Sequence, residues 1–323
     1  MAATRRLGAR RVQVRVPFIQ MSKESVRLSL SSLLSPSVIG CADARVLVNA
    51  FSLRSHNAYG VCAGATAWRC ERRWLADPTV TGVGPKTVIL VLGYTCDETT
   101  WTEQVPTLAK QYRVVTLDLP GHGKSDSPGD GRFSMDLFAR AVEAVRAELK
   151  VERAVLVGHS MGTPVVLRYA RLYPEHVTAL VFVDGLMPLP PDQAVARAGQ
   201  GATMGGPNGR AAREAMIRRF FVAGTMPEVQ AKVLNMMLGA PEATAVGAMN
   251  ASREPAGQST EIPKVPILGI YSGPSAIASE ERVHSAFSWA EYESIPGTGH
   301  FLMLEKPREF ERLLLAFLTQ QKF

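Results

Sequence analysis

The chain from Lys86 onward alternates short apolar runs with amphipathic stretches. The apolar runs are "TVILVLG", "YRVVTLDL", "AVLVG", "TALVFVDG" and "VPILGIYSG". Short runs of this kind are typical of strands that are buried on both faces. The stretches at 134–150 and 307–318 carry apolar side chains at helical spacing, and Ser134 or Asp136 can cap the first of them. This alternation predicts an α/β fold, with a mostly parallel central sheet and helices on both of its faces.

Residues 186–262 interrupt the alternation, because they contain no strand-like run. Two segments within them, "GRAAREAMIRRFFVAG" and "PEVQAKVLNMML", carry methionine, phenylalanine and valine at helical spacing. A helical segment of this length between two strands predicts an inserted lid, and its methionines suit an adaptable apolar pocket. The alternative is that the apolar faces of these helices simply pack against the sheet.

The first 84 residues show no regular pattern of apolar positions. We therefore place a domain boundary near residues 83–85 and expect the main domain to occupy residues 85–323. We expect residues 1–84 to form a basic, partly irregular or disordered extension, in which "RVQVRV" and "RVLVNA" could be early strands.

Positive charge is concentrated at the N-terminus. The 323-residue chain has a formal net charge of +7, and its first 40 residues hold seven basic residues against the single acidic residue Glu24. The remainder is nearly neutral, which argues against a nucleic-acid-binding surface. A start rich in arginine and serine resembles an organelle transit peptide, but a disordered tail or an extension absent from the mature protein would look the same. We expect a cytoplasmic location by default, with organelle import as the alternative.

The sequence contains no signal for a membrane span or a cofactor. No apolar run approaches the roughly 18 residues of a spanning helix. The four cysteines, Cys41, Cys62, Cys70 and Cys96, form no CxxC pair, which argues against a disulfide framework or a metal site and favours a reducing compartment. Cys96 also lacks a nearby histidine, which disfavours it as a nucleophile. No motif indicates a metal, a flavin or a nucleotide.

The stretch "AVLVGHSMGTPVVLRYA", residues 154–170, places a serine between two glycines where a predicted strand meets a predicted helix. Ser160 in such a tight turn needs small neighbours, and Gly158 and Gly162 provide them. The N-terminus of the following helix favours negative charge that develops near the serine. A serine nucleophile needs a base within hydrogen-bond reach. His300 follows a predicted strand in "PGTGH", and this glycine-rich loop would let its side chain reach inward.

Four pieces of the sequence together resemble the α/β-hydrolase fold superfamily. They are "LGYTCDETTW", "DLPGHGKSD", "VGHSMG" and "PGTGHFLMLEKPREF", which occur in that superfamily's order over residues 85–323. The resemblance implies a serine hydrolase of the esterase- and lipase-like branch, with a helical lid, Ser160 as nucleophile and His300 as base. It also implies an oxyanion hole formed by the backbone N–H groups of Tyr94 and Met161. The chain departs from the pattern at Leu92, where relatives often carry histidine.

The acid of the triad is left open by the sequence. In the family the acid usually follows the strand written here "VPILGIYSG", but residues 273–275 are Gly-Pro-Ser, and the next carboxylates are Glu280 and Glu281. Some members place the acid after the preceding strand, where Asp184 stands. We take Asp184 as the acid, with Glu280, Glu281 or no acid at all as the alternatives. Asp184 could instead only cap the entry to the lid.

A serine at position 160 favours attack on a carbonyl carbon and argues against the superfamily's dehalogenases and epoxide hydrolases, which use aspartate. We expect a serine hydrolase that cleaves a small or medium apolar carboxylic ester, thioester or lactone through an acyl-enzyme. A C–C bond hydrolase or an acyltransferase on the same scaffold is one alternative. A non-catalytic ligand-binding protein is another, because the usual acid position is empty. The expected partner is a small apolar ester-like molecule, and the sequence does not indicate an oligomeric state.

Overall fold

The strands and helices follow the alternation predicted from the sequence. In the computed structural model, the described residues are 72–254, 258–273, 275 and 277–321. Their strands are β1 (Thr79–Thr81), β2 (Thr87–Val91), β3 (Arg113–Leu117), β4 (Ala154–His159), β5 (Val177–Val183), β6 (Ile267–Gly273) and β7 (Glu291–Pro296). Their helices are α1 (Gln104–Leu108), α2 (Met135–Glu148), α3 (Gly162–Leu172), α4 (Pro191–Arg197), α5 (Gly209–Arg218), α6 (Pro227–Gly239), α7 (Glu242–Arg253), α8 (Glu280–Ala286), α9 (Leu302–Glu305) and α10 (Pro307–Gln320).

The strands form one sheet in the order β1-β3-β2-β4-β5-β6-β7. Every neighbouring pair is parallel except β1 and β3, which are antiparallel. All residues of β2, β4 and β5 are buried, so both faces of these strands are covered. The predicted mostly parallel sheet with helices on both faces is therefore confirmed.

The second helix shows how the local sequence sets an element boundary. The Ser134 side chain accepts a hydrogen bond from the Leu137 N–H at 3.1 Å, so Ser134 is the N-cap of α2. The other capping candidate, Asp136, instead accepts a hydrogen bond from Arg168 of α3 at 3.0 Å. The apolar face of α2 buries Phe138, Val142 and neighbouring side chains, and α2 and α3 pack against each other. The cap and the apolar face together fix the position of α2 beside the helix that follows the Ser160 turn.

The order of the strands predicts a crevice at the carboxyl ends of β2 and β4. The chain leaves β2 toward β3 on one side, whereas β4 and the later strands lie on the other side. Loops that leave neighbouring strands in opposite directions open a space at the sheet edge, where ligands bind in open α/β sheets. The residues after β2, after β4 and after β5 therefore meet at one edge, and these include Tyr94, Ser160 and Asp184.

The segment between β5 and β6 is helical, as predicted, and contains α4 to α7 with no strand among its described residues. It contacts the loops at the sheet edge: the Tyr94 hydroxyl donates to the Ala245 carbonyl at 2.9 Å, and the Thr100 hydroxyl lies 3.4 Å from the Met236 sulfur. Val233 and Met237, which belong to the apolar residues at helical spacing in the second of these segments, are buried. We call this segment the helical insertion. Its action as a lid stays a prediction.

The N-terminal predictions lie mostly outside the described residues. The transit-peptide hypothesis, the two early strand candidates and Cys41, Cys62 and Cys70 all fall within residues 1–71. β1 lies before the boundary predicted near residue 84 and adds an edge strand to the sheet. The boundary itself stays a prediction. None of the helices in the described part of the chain is both long and apolar enough to cross a membrane.

Candidate active site

Ser160 occupies a strained turn between β4 and α3. Its φ is 53°, in the left-handed region that residues other than glycine rarely adopt. Three backbone hydrogen bonds hold the turn: the Ser160 N–H donates to Val183 at 3.0 Å, and the Ser160 carbonyl accepts from Thr163 at 3.1 Å and Leu186 at 3.2 Å. Backbone strain of this kind persists where the surroundings fix it, and it clusters at functional sites. The turn projects the serine at the sheet edge.

The two glycines that flank the serine are required by direct backbone contacts. A Cβ atom at Gly158 would lie 2.5 Å from the Gly162 carbonyl oxygen, and one at Gly162 would lie 2.6 Å from the Val91 carbonyl oxygen. No real Cβ makes contacts this short, so any side chain at either position would displace the turn or β2. The Gly-X-Ser-X-Gly spacing thus follows from how closely α3 and β4 approach β2.

The structure brings Asp184 and His300 together in the interior. The Nδ1 atom of His300 lies 2.6 Å from Oδ2 of Asp184, and the two residues are 5% and 1% exposed. Asp184 follows β5 directly and has a positive φ of 40°, which marks a second constrained position at this sheet edge. The Ser160 N–H donates to the carbonyl of Val183, the residue before Asp184, so Ser160 and Asp184 are held at the same sheet edge.

The second oxygen of Asp184 is held by two serines. Oδ1 accepts hydrogen bonds from the Ser272 N–H at 3.1 Å, the Ser272 hydroxyl at 3.0 Å and the Ser275 hydroxyl at 2.9 Å. Burial pushes the pKa of Asp184 upward, but the hydrogen bond and charge of His300, together with the serine donors, bring it below its usual value. Asp184 is therefore ionised at neutral pH and fixes the Nδ1–H tautomer of His300. The Nε2 atom of His300 is left as a proton acceptor.

Ser272 and Ser275 contact the candidate acid Asp184, and sequence reasoning did not identify them. Ser275 stands where the family's acid usually stands, and in this structure it donates to the carboxylate of Asp184 from the neighbouring strand. The only sign of them in the sequence was the lack of an acidic residue at the position where the family's acid usually stands. The alternative acids, Glu280 and Glu281, are exposed at the start of α8, and neither contacts His300.

His300 is positioned by the elements around it as well as by Asp184. Its N–H donates to the Phe220 carbonyl at 2.9 Å, and the Phe220 ring centroid lies 4.4 Å from its imidazole. In addition, Nε2 of His159 lies 3.0 Å from the His300 carbonyl oxygen. Burial lowers the pKa of His159 to about 3, so its neutral ring donates from Nε2.

Two backbone N–H groups close to Ser160 are the candidate donors of an oxyanion hole. A Cβ at Gly93 would lie 3.1 Å from the Ser160 Cβ, so the loop that carries Tyr94 passes directly against the serine. Among the described residues, the N–H groups of Tyr94 and Met161 have no acceptor. The Ser160 hydroxyl also forms no hydrogen bond to a described residue. Catalytic hydrogen bonds often form only when substrate is bound. The arrangement can therefore present a hydroxyl, a base and two donors to one carbonyl group.

Cys96 lies beside this loop but is not suited to nucleophilic attack. It is 1% exposed, and its thiol lies 3.4 Å from the Tyr94 carbonyl. Burial raises the pKa of the Cys96 thiol to about 12, so the thiolate is scarce at neutral pH. In the described part of the chain, no group of three or more histidine, cysteine, aspartate or glutamate side chains is placed to hold a metal ion.

Comparison with known proteins agrees with the fold. The model of the family described as alpha/beta hydrolase fold matches residues 86–203. The chain is 28% identical over 255 residues to a dihydrolipoyllysine-residue acetyltransferase component of the acetoin cleaving system from Pseudomonas putida, covering 74% of this chain and 65% of that protein. It is 39% identical over 109 residues to a 2-hydroxy-6-oxononadienedioate/2-hydroxy-6-oxononatrienedioate hydrolase from Paraburkholderia phymatum, covering 32% of this chain and 38% of that protein. The chain thus spans less than two thirds of the length of these curated relatives.

Solved structures match over most of the described residues. An esterase from Thermogutta terrifontis superposes with a TM-score of 0.67 at 27% identity, over 76% of this chain and 93% of that one. An enol-lactonase from Burkholderia xenovorans LB400 superposes with a TM-score of 0.66 over 76% of this chain and 96% of that one. At 23% identity, this match shows only that the two proteins share a fold.

Proposed function

The chain belongs to the α/β-hydrolase fold superfamily, and from this premise we propose that it is a serine hydrolase acting on small or medium apolar carboxylic esters. The observation that carries the proposal is the buried Asp184–His300 pair, which lies at the same sheet edge as the strained turn of Ser160. An ionised carboxylate that orients a histidine beside a serine is the arrangement that serine hydrolases use on several folds.

In the proposed reaction, Nε2 of His300 accepts the proton of the Ser160 hydroxyl while Oγ attacks the carbonyl carbon of the ester. Asp184 holds Nδ1–H and stabilises the imidazolium that forms. The negative charge on the former carbonyl oxygen accepts hydrogen bonds from the N–H groups of Tyr94 and Met161. As the tetrahedral intermediate collapses, the C–O bond to the alcohol breaks, and His300 donates its proton to the leaving oxygen.

Water hydrolyses the resulting acyl-enzyme. His300 takes a proton from the water molecule, whose oxygen attacks the acyl carbon, and a second tetrahedral intermediate forms in the same oxyanion hole. Collapse of this intermediate breaks the bond to Oγ, returns the proton to Ser160 and releases the carboxylic acid. The cycle uses only groups that are on the described part of the chain, together with water.

The apolar residues of the helical insertion support an apolar acyl or alcohol group. Phe220 lies against the imidazole of His300, and Met236 contacts the loop after β2. We propose that the helical insertion acts as a lid over the crevice, and that its methionines adapt to the bound chain. The name of the structural match at 27% identity, an esterase, is consistent with an ester as substrate.

A C–C bond hydrolase is the second candidate, because one observation favours an anionic substrate. Arg213 on α5 is 6% exposed, and its Nε atom has no partner among the described residues. Its charge acts on Tyr94, where burial raises the pKa of the phenol and Arg213 opposes that rise. A carboxylate on the substrate would neutralise this guanidinium. The relative from Paraburkholderia phymatum is named for a dioate substrate.

The experiment that tests the proposal combines a fluorophosphonate probe with a substrate panel. Full-length protein and the Ser160→Ala variant are treated with the probe, and hydrolysis of p-nitrophenyl esters from acetate to dodecanoate is measured. We expect labelling of the wild type only, with the highest kcat/KM on the short or medium esters. A folded wild-type protein that neither reacts with the probe nor hydrolyses any ester would overturn the proposal in favour of a non-catalytic binding protein.

A further inference from the structure

A small cavity lies beside the loop that follows Asp184. It has a volume of about 150 Å³ and is bounded by the loop after β5 and by the ends of α4, α7 and α8. Leu186 and Leu189 of the loop and Pro164 of α3 form an apolar wall. Ser160 and His300 are not among the lining residues, so this cavity is separate from the proposed catalytic residues.

Three arginines converge on this cavity. Arg197 ends α4, Arg253 ends α7, and Arg282 lies in the first turn of α8. No aspartate or glutamate lines the cavity, and within the described part of the chain none of the three guanidinium groups pairs with a carboxylate. Glu281 lines a wider depression that adjoins the cavity through Arg282, but it forms no ion pair with that arginine. Three positive charges thus surround a small space that is lined by no acidic side chain from the described part of the chain.

The side chain of Arg253 lacks one hydrogen-bond acceptor within the described part of the chain. Its Nε atom is buried and has no hydrogen-bond partner among the described residues. Burial lowers the pKa of Arg253, and the charge of Arg197 lowers it further. A position at the C-terminus of a helix favours a cation only weakly, and it leaves the Nε donor unpaired. A buried donor without a partner is costly, which points to a missing acceptor.

The polar groups that could serve as internal acceptors are already occupied. Oε1 of Gln258 accepts from the Leu189 N–H at 2.8 Å, and its Nε2 donates to the Ser252 carbonyl at 3.2 Å. The Ser252 hydroxyl donates to the Met249 carbonyl at 2.8 Å. Arg282 reaches the Pro188 carbonyl at 3.4 Å, which leaves its other donors free to face the cavity. These bonds fix the wall and leave the guanidinium donors as the groups available to a ligand.

We propose that this cavity is a binding site for a small organic carboxylate, held by Arg253, Arg282 and Arg197 with its apolar body against Leu186 and Leu189. The planar fork of a guanidinium matches a carboxylate, and charge-assisted hydrogen bonds of this kind are the strong ones. A cavity of about 150 Å³ accommodates a molecule of roughly the size of benzene, so a short-chain carboxylate fits. The mixed apolar and cationic lining favours such an amphipathic anion over inorganic phosphate.

The test is calorimetric titration of the full-length protein with butyrate and with butyramide, its neutral isostere, at constant ionic strength. We expect saturable binding of butyrate with one ligand per chain and at least about tenfold weaker binding of butyramide. Arg253→Gln and Arg282→Gln should each weaken butyrate binding by about tenfold or more, while Arg312→Gln, an exposed arginine on α10, should leave it unchanged. Arg253→Lys replaces Arg253→Gln if the latter does not fold.

The alternative binding place for butyrate is the crevice, so the titration is repeated after Ser160 has been blocked with a fluorophosphonate. Binding that persists in the blocked protein supports the second site, and binding that disappears overturns it. Equal affinity for butyrate and butyramide, or wild-type affinity in both glutamine variants, also overturns it. This site does not depend on the proposed hydrolase activity. If the probe does not react with Ser160, the hydrolase proposal fails, while the arginine variants still decide the anion site.

Discussion

Replacement of Asp184 by asparagine tests the proposed catalytic pair with the least disturbance of the fold. An asparagine keeps the shape of the side chain, and its Oδ1 can still accept the hydrogen bonds from Ser272 and Ser275. Its amide group then faces Nδ1 of His300, where the carboxylate lay at 2.6 Å. An amide donates at this position, so His300 adopts the tautomer with a proton on Nε2. That proton faces the Ser160 hydroxyl and prevents His300 from acting as a base.

The expected loss follows from what the pair contributes. Removal of the orienting carboxylate in a serine–histidine–aspartate triad lowers kcat by about 10⁴-fold, which corresponds to about 5 kcal/mol of transition-state stabilisation. KM should change little, because Asp184 does not reach the surface of the crevice and is 1% exposed. The fold should survive, since the three serine hydrogen bonds remain.

The assay is the hydrolysis of p-nitrophenyl butyrate by wild type, Asp184→Asn and a control, with kcat and KM measured separately. Asp130→Asn is the matched control, because it removes one aspartate charge from an exposed loop. Circular dichroism melts of all three proteins establish that they fold. A kcat of folded Asp184→Asn within about tenfold of the wild type would refute the reasoning. A large loss in Glu280→Gln or Glu281→Gln instead would move the role to α8.

Three further predictions follow from the same contacts. Ser275→Ala removes one of the hydroxyl donors to Asp184, so kcat on p-nitrophenyl butyrate should fall by about tenfold with little change in KM. Ser259→Ala, at a half-buried serine in the loop before β6 that does not contact Asp184, should leave kcat unchanged. Gly158→Ala should lower the free energy of unfolding in urea by about 1–3 kcal/mol or more, because its Cβ would lie 2.5 Å from the Gly162 oxygen. The control Gly224→Ala, which has open space around residue 224, should change the free energy of unfolding by less than about 0.5 kcal/mol. The pKa of Asp184 is lower in the folded protein than in the unfolded chain, so its contribution to stability is present above the unfolded value of about 3.9 and is lost as the pH falls through the folded value. As the pH is lowered from 5, the urea midpoint of the wild type should therefore fall more steeply than that of Asp184→Asn. Parallel pH curves of the urea midpoint for the two proteins would contradict this.

The sequence predicted the central part of the fold because those strands are buried on both faces. β2, β4 and β5 appear as continuous apolar runs for that reason. β1 has only three residues, lies at the sheet edge and is partly exposed, so no periodicity could identify it. The helical insertion could be predicted from its apolar spacing, but its contacts with Tyr94 and His300 depend on how the helices fold back over the sheet.

The candidate site could be predicted in part for a different reason. The turn at Ser160 imposes local steric demands, and these leave a readable spacing of glycines. The partners of His300 depend on which strand lies next to which, and the sequence alone left Asp184, Glu280 and Glu281 open. Ser272 and Ser275 on the neighbouring strand and loop complete the environment of Asp184. Short polar side chains carry no spacing signal, so only the structure identifies them.

The measurement that tests the central claim most directly is the trapping of a covalent intermediate. Wild-type protein is mixed with p-nitrophenyl butyrate, quenched in acid and digested, and the peptides are analysed by mass spectrometry. The account predicts one butyryl group on the hydroxyl of Ser160, absent from Ser160→Ala and accumulating more slowly in Asp184→Asn. Hydrolysis of the ester by protein that carries the acyl group on another residue, or unchanged turnover by Ser160→Ala, would contradict it.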